Sequence, residues 1–372
     1  MLDKSKLIAQ LHTMADELFV DNESVYTLVH DAWRSLVKDS SFIYKVKEVH
    51  DAPWPIPLWD GNLGDIIPIE VMHSGYTVLS VDGSQIYPDR HNILSCFLIN
   101  TGAVVLPYGI PGKKVEFYSE PKVFVGVDEN KVPFTTDTVN CKRQELELSA
   151  GLFLVQQHAS ATSPLVMFDG SLIFWHLSSK ETQVRDQFLY TYLALLDDLY
   201  KANIVTIWYI SLPKSKELLS LVRLFLCDFN HAKKELYESV ESVVDAGIME
   251  NFLLPYTRSI VFKNRSSISD YYPPHVHPFF FYIHTGTEIG RVEIPSWIAQ
   301  DNQLVDYCAS IVLDQCKKGG GYPVALAEAH EQAVVKGPDR DFFYHFLQKM
   351  VIERKKSVVI SRKSLKKRGI GI

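Results

Sequence analysis

Two apolar stretches of this chain end in the same triplet, Asp-Gly-Ser, and both have the length and composition of a buried strand. The first runs from Thr77 to Asp82 and the second from Pro164 to Asp169. Short apolar runs bounded by glycine are typical of strands inside a sheet. If these strands are neighbours, the carboxylates of Asp82 and Asp169 converge at one end of the sheet. Asp-Gly is also common turn chemistry, so one such motif alone would favour a turn.

The composition is that of a folded, mildly acidic protein. The 372 residues are 47% hydrophobic and carry a formal net charge of −6, which suits one large domain or two smaller ones. An acidic chain does not bind nucleic acid over its whole surface, so any contact with nucleic acid needs a local basic surface. The five cysteines include no Cys-x-x-Cys pair. This argues against a zinc ribbon or a disulfide framework and favours reduced thiols.

Several kinds of signal are missing from the sequence. The N-terminal segment lacks the apolar core of a signal peptide, and no run reaches the roughly 18 apolar residues of a membrane span. Neither a Walker-type phosphate loop nor a dinucleotide fingerprint is present, so ATP hydrolysis would have to come from a partner. We therefore expect a cytoplasmic protein that makes no membrane contact.

The periodicity predicts an α/β protein with a helical N-terminal extension at 1–70. After residue 70 it predicts three antiparallel strands, then helix, strand, helix, strand and helix. The strands are predicted at 77–82, 92–101, 103–108, 164–169 and 204–211, and the helices at 138–158, 181–201 and 214–229. Gly102 is predicted to form a turn between two of the strands. This order indicates a mixed sheet flanked by helices, as in the ribonuclease-H-like fold.

Five segments together resemble one known family, the NurA-type nucleases, and in particular their bacterial branch. The segments are Val81–Gln85, Phe168–Ile173, Tyr209–Ser215, Arg291–Pro295 and Gly321–His330. The resemblance extends over about residues 76–345. It implies a ribonuclease-H-like nuclease domain at 71–345, and the basic composition of the remaining residues indicates a C-terminal tail at 346–372.

The resemblance also implies an activity and partners. It implies manganese-dependent cleavage of DNA, with Mg²⁺ as the alternative metal, by a 5′→3′ exonuclease and single-strand endonuclease. It implies a homodimer that processes DNA ends with a HerA-type hexameric ATPase. Two divalent ions about 3.5–4 Å apart can stabilise both the attacking and the leaving oxygen of a phosphodiester. Such ions prefer oxygen ligands, and manganese also accepts imidazole.

The family pattern assigns roles to the strand-end carboxylates. Asp82 would bridge the metals, and Asp169 would be a second ligand. The intervening helix offers Glu145 and Glu147, which point about 200° apart, so only one can face the sheet. Glu147 is preferred because it follows Arg143 by four residues, which is the family spacing.

The C-terminal part of the match adds two further candidates. His330 matches the family histidine that takes the place of a fourth carboxylate, where it would bind a metal or transfer protons. Tyr322 would orient a phosphate or a water through its hydroxyl group, although a merely packed tyrosine is nearly as common.

Basic residues outside this site are candidates for DNA contacts. Lys214 follows a predicted strand, and Lys366, Lys367 and Arg368 lie in a terminal run without acidic residues. A separate histidine pair, His275 and His277, is assigned to a loop because two histidines alone do not complete a metal site. Two other functions stay open: a non-catalytic adaptor that guides DNA for a translocase, and a nuclease that acts on RNA.

Overall fold

The structure, a computed structural model, describes residues 2–15, 23–49, 53–88, 96–126, 135–158, 164–230 and 238–354. The predicted DNA-contacting residues Lys366, Lys367 and Arg368 lie outside these ranges. The strands are β1 Leu58–Trp59, β2 Ile67–Pro68, β3 Tyr76–Ile86, β4 Cys96–Tyr108, β5 Glu116–Val125, β6 Leu165–Asp169, β7 Thr206–Ser211, β8 Thr257–Arg258, β9 Phe262–Lys263, β10 Pro278–His284 and β11 Ile289–Pro295. The helices are α1 Lys4–Thr13, α2 Glu23–Leu36, α3 Phe42–Lys47, α4 Thr136–Gln157, α5 Thr182–Lys201, α6 Glu217–Leu226, α7 Asp245–Glu250, α8 Ser296–Ala299, α9 Asn302–Lys318, α10 Val324–Ala333 and α11 Gly337–Glu353.

One mixed sheet contains all the strands of the described residues. Its main order is β1-β9-β10-β11-β7-β6-β3-β4-β5, and β2 and β8 attach beside β10. Strands β3, β6 and β7 run parallel to one another, whereas β3, β4 and β5 form an antiparallel meander. The order β5-β4-β3-β6-β7 is that of the ribonuclease-H-like fold, which confirms the predicted fold class.

The turn predicted at Gly102 is wrong. Strand β4 continues through this residue, and the third strand of the meander is β5, which the sequence pattern did not reveal. Gly102 pairs with Asp82, and a Cβ atom there would overlap the backbone of α10, lying 2.7 Å from the Ala329 carbonyl oxygen. The glycine therefore permits close packing of a helix on the sheet.

Helices cover both faces of the central strands. Leu79 and Val81 pack with α4 and α5 on one face, whereas Val78 packs with α9 and α10 on the other. Successive side chains of a strand point to opposite faces, so a strand that is apolar at nearly every position is buried on both sides. This burial places β3 and β6 at the centre of the sheet. The first Asp-Gly-Ser motif lies within β3, and the second begins at the last residue of β6.

The terminal regions differ in detail from the prediction. Helix α2 buries Val29 and Trp33 against α6 and α7, but the first 70 residues also contribute β1 and β2 to the sheet, so they are not purely helical. Helix α11 continues past residue 345, where the tail was predicted to begin. No helix of the described residues has both the length and the apolar character needed to cross a membrane.

Candidate active site

The two Asp-Gly-Ser motifs lie side by side at the same end of the sheet. Strands β3 and β6 are parallel neighbours, and Val81 is in register with Phe168. The next residues along the two strands, Asp82 and Asp169, therefore adjoin each other. The pKa of Asp169 is raised, mainly because its carboxyl is partly removed from water and secondly because of the negative charge of Asp82. The structure thus brings together the two carboxylates that the sequence placed at strand ends, but only Asp169 ends its strand, since β3 continues past Asp82 to Ile86.

Helix α4 supplies a third carboxylate to this point. Glu145 turns to Lys142, with 2.6 Å between Oε1 and Nζ, whereas Glu147 faces Gly83. A Cβ atom on Gly83 would lie only 2.6 Å from Glu147 Oε1, so the absence of a side chain there makes room for the carboxylate. The geometry therefore places Glu147, rather than Glu145, beside the aspartates, and its role as a metal ligand stays a prediction.

The carboxylate of Glu147 is in an unfavourable environment for a negative charge. Its Oε1 atom is buried and has no hydrogen bond among the described residues, and its ion pair with Arg143 Nη1 is long, at 3.5 Å. Burial raises the pKa of Glu147 to about 8; Arg143 opposes this shift, whereas Asp82 and Asp169 add to it. A buried carboxylate oxygen without a donor is costly, so a positive charge placed here would be stabilised.

The segment around α10 adds one partner to each aspartate. His330 Nδ1 lies 2.7 Å from Asp82 Oδ2, and 62% of the histidine side chain is exposed. The Tyr322 hydroxyl donates a hydrogen bond to Asp169, which partly opposes the raised pKa of that carboxyl; burial, followed by the charge of Asp169 and this hydrogen bond, raises the pKa of the tyrosine. Both predicted residues therefore contact the carboxylate cluster, although Tyr322 lies just before the helix and His330 within it.

The donor set fits a divalent cation. Three carboxylates and one imidazole are ligands that manganese accepts, and the buried Glu147 Oε1 has no hydrogen bond among the described residues, with the Arg143 Nη1 cation 3.5 Å away. Within the described ranges, no three His, Cys, Asp or Glu side chains already surround a common point as metal ligands do. Binding of a cation would therefore require the side chains to adjust.

Most of this chain matches the model of one protein family. The NurA domain matches residues 76–335, which cover all four elements that bear the site. This chain belongs to the NurA domain family. NurA domains are nuclease domains, so the chain is a nuclease, as the resemblance implied. No curated protein sequence matches this chain significantly.

Solved structures with the NurA and ribonuclease H folds are distant from the chain. A NurA crystal structure with bound dAMP and manganese is 10% identical, covers 86% of this chain and 94% of its own, and has a TM-score of 0.37. Ribonuclease H1 from the halophilic archaeon Halobacterium salinarum is 14% identical, with 41% and 99% covered and a TM-score of 0.22. The prototype foamy virus protease–reverse transcriptase is 17% identical, with 49% and 22% covered and a TM-score of 0.22.

The other predicted candidates within the described ranges, Lys214, His275 and His277, form no hydrogen bond or ion pair with the carboxylate cluster. Lys214 is exposed on the loop between β7 and α6, and the helix begins at Glu217 instead of at the lysine. His275 pairs with Asp197 at 2.8 Å, and His277 contacts the Asn264 carbonyl oxygen at 2.8 Å. The two histidines have separate partners, so they do not form a joint metal site.

Two charged residues at the NurA site were not assigned a role from the sequence. Arg143 donates from Nη1 to the Gly83 carbonyl oxygen at 2.9 Å, and its buried Nε has no partner among the described residues. Glu293 contacts the loop that follows Asp169. The Arg291–Pro295 match pointed to its segment, but nothing local pointed to a contact about 120 residues away.

Proposed function

We propose that this chain is a metal-dependent DNA nuclease that hydrolyses phosphodiesters at the Asp82–Asp169 end of the sheet. The observation that carries the proposal is the convergence of Asp82, Glu147 and Asp169 from two strands and a helix, with His330 in direct contact. Structural carboxylates are usually paired with cations or helix termini, whereas neighbouring carboxylates raise each other's energy, as Asp82 and Asp169 do for Glu147. Such a cluster is typical of a site that receives a positive charge.

Asp82, Glu147, Asp169 and His330 are the residues that would hold the metal. Mn²⁺ is the proposed ion because the set contains an imidazole, with Mg²⁺ as the alternative. A bound divalent cation would supply charge stabilisation to the scissile phosphate and lower the pKa of a water nucleophile. Glu147 would have to lose its proton first, since burial holds its pKa at about 8.

The chain's own residues would orient and protonate the reacting groups. The hydrogen bond from Tyr322 fixes the carboxylate of Asp169. The contact between Asp82 and His330 Nδ1 fixes the imidazole ring and leaves Nε2 as the atom that would either bind the metal or exchange a proton with water or a leaving oxygen. Because most of the ring is exposed, a bound nucleic acid strand could reach it.

The finer parts of the proposal rest on the family. They are 5′→3′ exonuclease and single-strand endonuclease activity, a role in DNA end processing and repair, homodimer formation and action with a HerA-type hexameric ATPase in the cytoplasm. The lack of a Walker motif supports the need for a separate ATPase. The basic run from Arg354 to Arg368 carries the positive charge that contacts with phosphate groups require.

The test compares Asp82→Asn and Asp169→Asn with the wild-type chain. Each folded variant should cut single-stranded DNA in Mn²⁺ at least about 10³-fold more slowly, since charge stabilisation at the reacting atoms is worth several kcal/mol. Glu145→Gln is the matched control, because this helix carboxylate pairs with Lys142 and should leave the rate unchanged. Wild-type rates in both asparagine variants would refute the site.

The same preparation separates the remaining functions. Calorimetry with Mn²⁺ that shows no uptake, together with intact binding of the ATPase, would identify an adaptor. Faster cleavage of an RNA oligonucleotide than of DNA with the same sequence would identify RNA as the substrate.

A further inference from the structure

The loop that follows Asp169 is irregular and buried. Leu172, Ile173 and Phe174 are at most 1% exposed, although they lie between β6 and a short 3₁₀ helix at Trp175–Leu177. Buried backbone N–H and C=O groups outside regular structure need other partners. The nearest side chains of two distant segments supply them.

Glu293 of β11 supplies the first set of contacts. Its Oε2 accepts hydrogen bonds from Ser171 Oγ at 2.8 Å, Leu172 N at 2.7 Å and Ile173 N at 3.3 Å. Its Oε1 accepts from Arg291 Nε at 2.8 Å. Glu293 is 1% exposed, so both carboxylate oxygens are satisfied by protein donors alone.

Tyr272 supplies the second set of contacts. Its hydroxyl donates to the Leu172 carbonyl oxygen at 2.7 Å and accepts from Phe174 N at 3.1 Å. Together, Glu293 and Tyr272 satisfy four of the five backbone polar groups from Leu172 N to Phe174 N, and the fifth, the Ile173 carbonyl oxygen, accepts from Trp175 N and Ser171 Oγ. The first residues after Asp169 therefore have a fixed path through the interior.

Arg291 links Glu293 to a second buried glutamate that does not contact the loop. Its Nη2 donates to Glu217 Oε1 at 2.8 Å. The other hydrogen-bond donors to Glu217 are Lys216 N and Asn264 Nδ2, and Glu217 is 3% exposed. Glu217 and Glu293 are thus matched in burial and in their arginine partner, and they differ in contact with the site loop.

We propose that Glu293 is a positioning residue for Asp169, which sets the carboxylate where it can bind the metal. The inference rests on the proposed function, since it concerns the metal ligand Asp169. The backbone of Asp169 continues directly into the anchored segment, so a shift of that segment is transmitted to the carboxylate. Metal ligands must keep their geometry to within about 0.5 Å, and loss of a group that supports a ligand typically weakens metal binding about 10- to 100-fold.

The experiment compares Glu293→Gln with Glu217→Gln in the full chain. Each substitution keeps the side-chain volume but removes one of the two negative charges that pair with Arg291. Both variants should therefore have a lower midpoint of urea unfolding, measured in chelator. Calorimetric titration of the metal-free chain with MnCl₂ is the deciding measurement. The Kd for Mn²⁺ should rise about 10- to 100-fold in Glu293→Gln and less than about 3-fold in Glu217→Gln. Equal Mn²⁺ affinities of the two variants would overturn the inference.

A milder pair of variants covers the case in which the glutamine variants do not fold. Tyr272→Phe removes the donor to Leu172, whereas Tyr282→Phe removes a buried hydroxyl that contacts Arg291 and Asp245 but not the loop. Only Tyr272→Phe should weaken Mn²⁺ binding, by about 3- to 10-fold, since one neutral hydrogen bond is worth about 1 kcal/mol. An unchanged Kd in Tyr272→Phe would count against loop anchoring.

The wild-type chain and Asp169→Asn separate the two levels of the proposal. If the wild-type chain takes up no Mn²⁺, the proposed function fails and the inference with it. If the wild-type chain binds Mn²⁺, Asp169→Asn does not, and Glu293→Gln behaves like Glu217→Gln, the inference alone fails.

Discussion

Replacing Glu147 by glutamine should stabilise the metal-free chain while it abolishes cleavage. The carboxylate is buried next to Asp82 and Asp169, its Oε1 lacks a hydrogen-bond partner among the described residues, and its pKa is raised to about 8. A neutral amide of the same shape avoids the cost of charging this site. It also removes an oxygen ligand that the metal would need.

The magnitude follows from linkage between protonation and folding. The pKa of Glu147 is higher in the folded chain, about 8, than its ordinary value of 4.5, so its stabilising contribution is complete below pH 4.5 and is lost as the pH rises through 8. Between pH 4.5 and 7 the unfolded carboxyl loses its proton while the folded one keeps it, which costs about 3 kcal/mol at 1.4 kcal/mol per pH unit. Since 15% of the side chain is exposed, we expect Glu147→Gln to gain about 2–3 kcal/mol at pH 7.

Urea unfolding in chelator between pH 5 and pH 8 measures this gain. The free energies of unfolding of the wild-type chain and of Glu147→Gln should nearly coincide at pH 5 and diverge as the pH rises. Glu145→Gln should keep the wild-type pH dependence, because its carboxylate pairs with Lys142 away from the cluster. A Glu147→Gln chain that is less stable than the wild type at pH 8, or a constant difference across the pH range, would refute the reasoning.

Three further substitutions test separate features of the fold and the site. Gly102→Ala should lower the free energy of unfolding by about 2–3 kcal/mol, because the new methyl group overlaps the backbone of α10; unchanged urea unfolding would contradict this packing. Leu79→Ala should cost about 2–5 kcal/mol from the cavity left in the core, and cleavage per folded molecule should persist if the site is intact. Tyr322→Phe removes a hydrogen bond to Asp169, worth about 1.5–3 kcal/mol for a charged partner, so the Mn²⁺ concentration for half-maximal cleavage should rise about 10-fold. A wild-type metal requirement would mean that Tyr322 is only packed.

Much of the fold was predictable because its signals are local. Apolar runs of strand length, such as 77–82 and 164–169, predict buried strands wherever they occur, and helical periodicity marked α4, α5 and α6 to within a few residues. The exposed strand β5 was missed because Glu116, Glu120 and Pro121 interrupt any apolar pattern. The NurA resemblance placed the candidate ligands at specific residues, whose catalytic roles stay predictions.

The sequence by itself determined that Asp82 and Asp169 follow the apolar runs of two buried strands and that only one of Glu145 and Glu147 can face the sheet. The tertiary structure decided which one, because the outcome depends on the rotation of α4 over Gly83. It also turned Gly102 from a presumed turn into a helix contact, and it brought Glu293 to the loop after Asp169. These outcomes depend on which strands pair and which helices cross them, and long-range packing of that kind leaves no local periodicity in the chain.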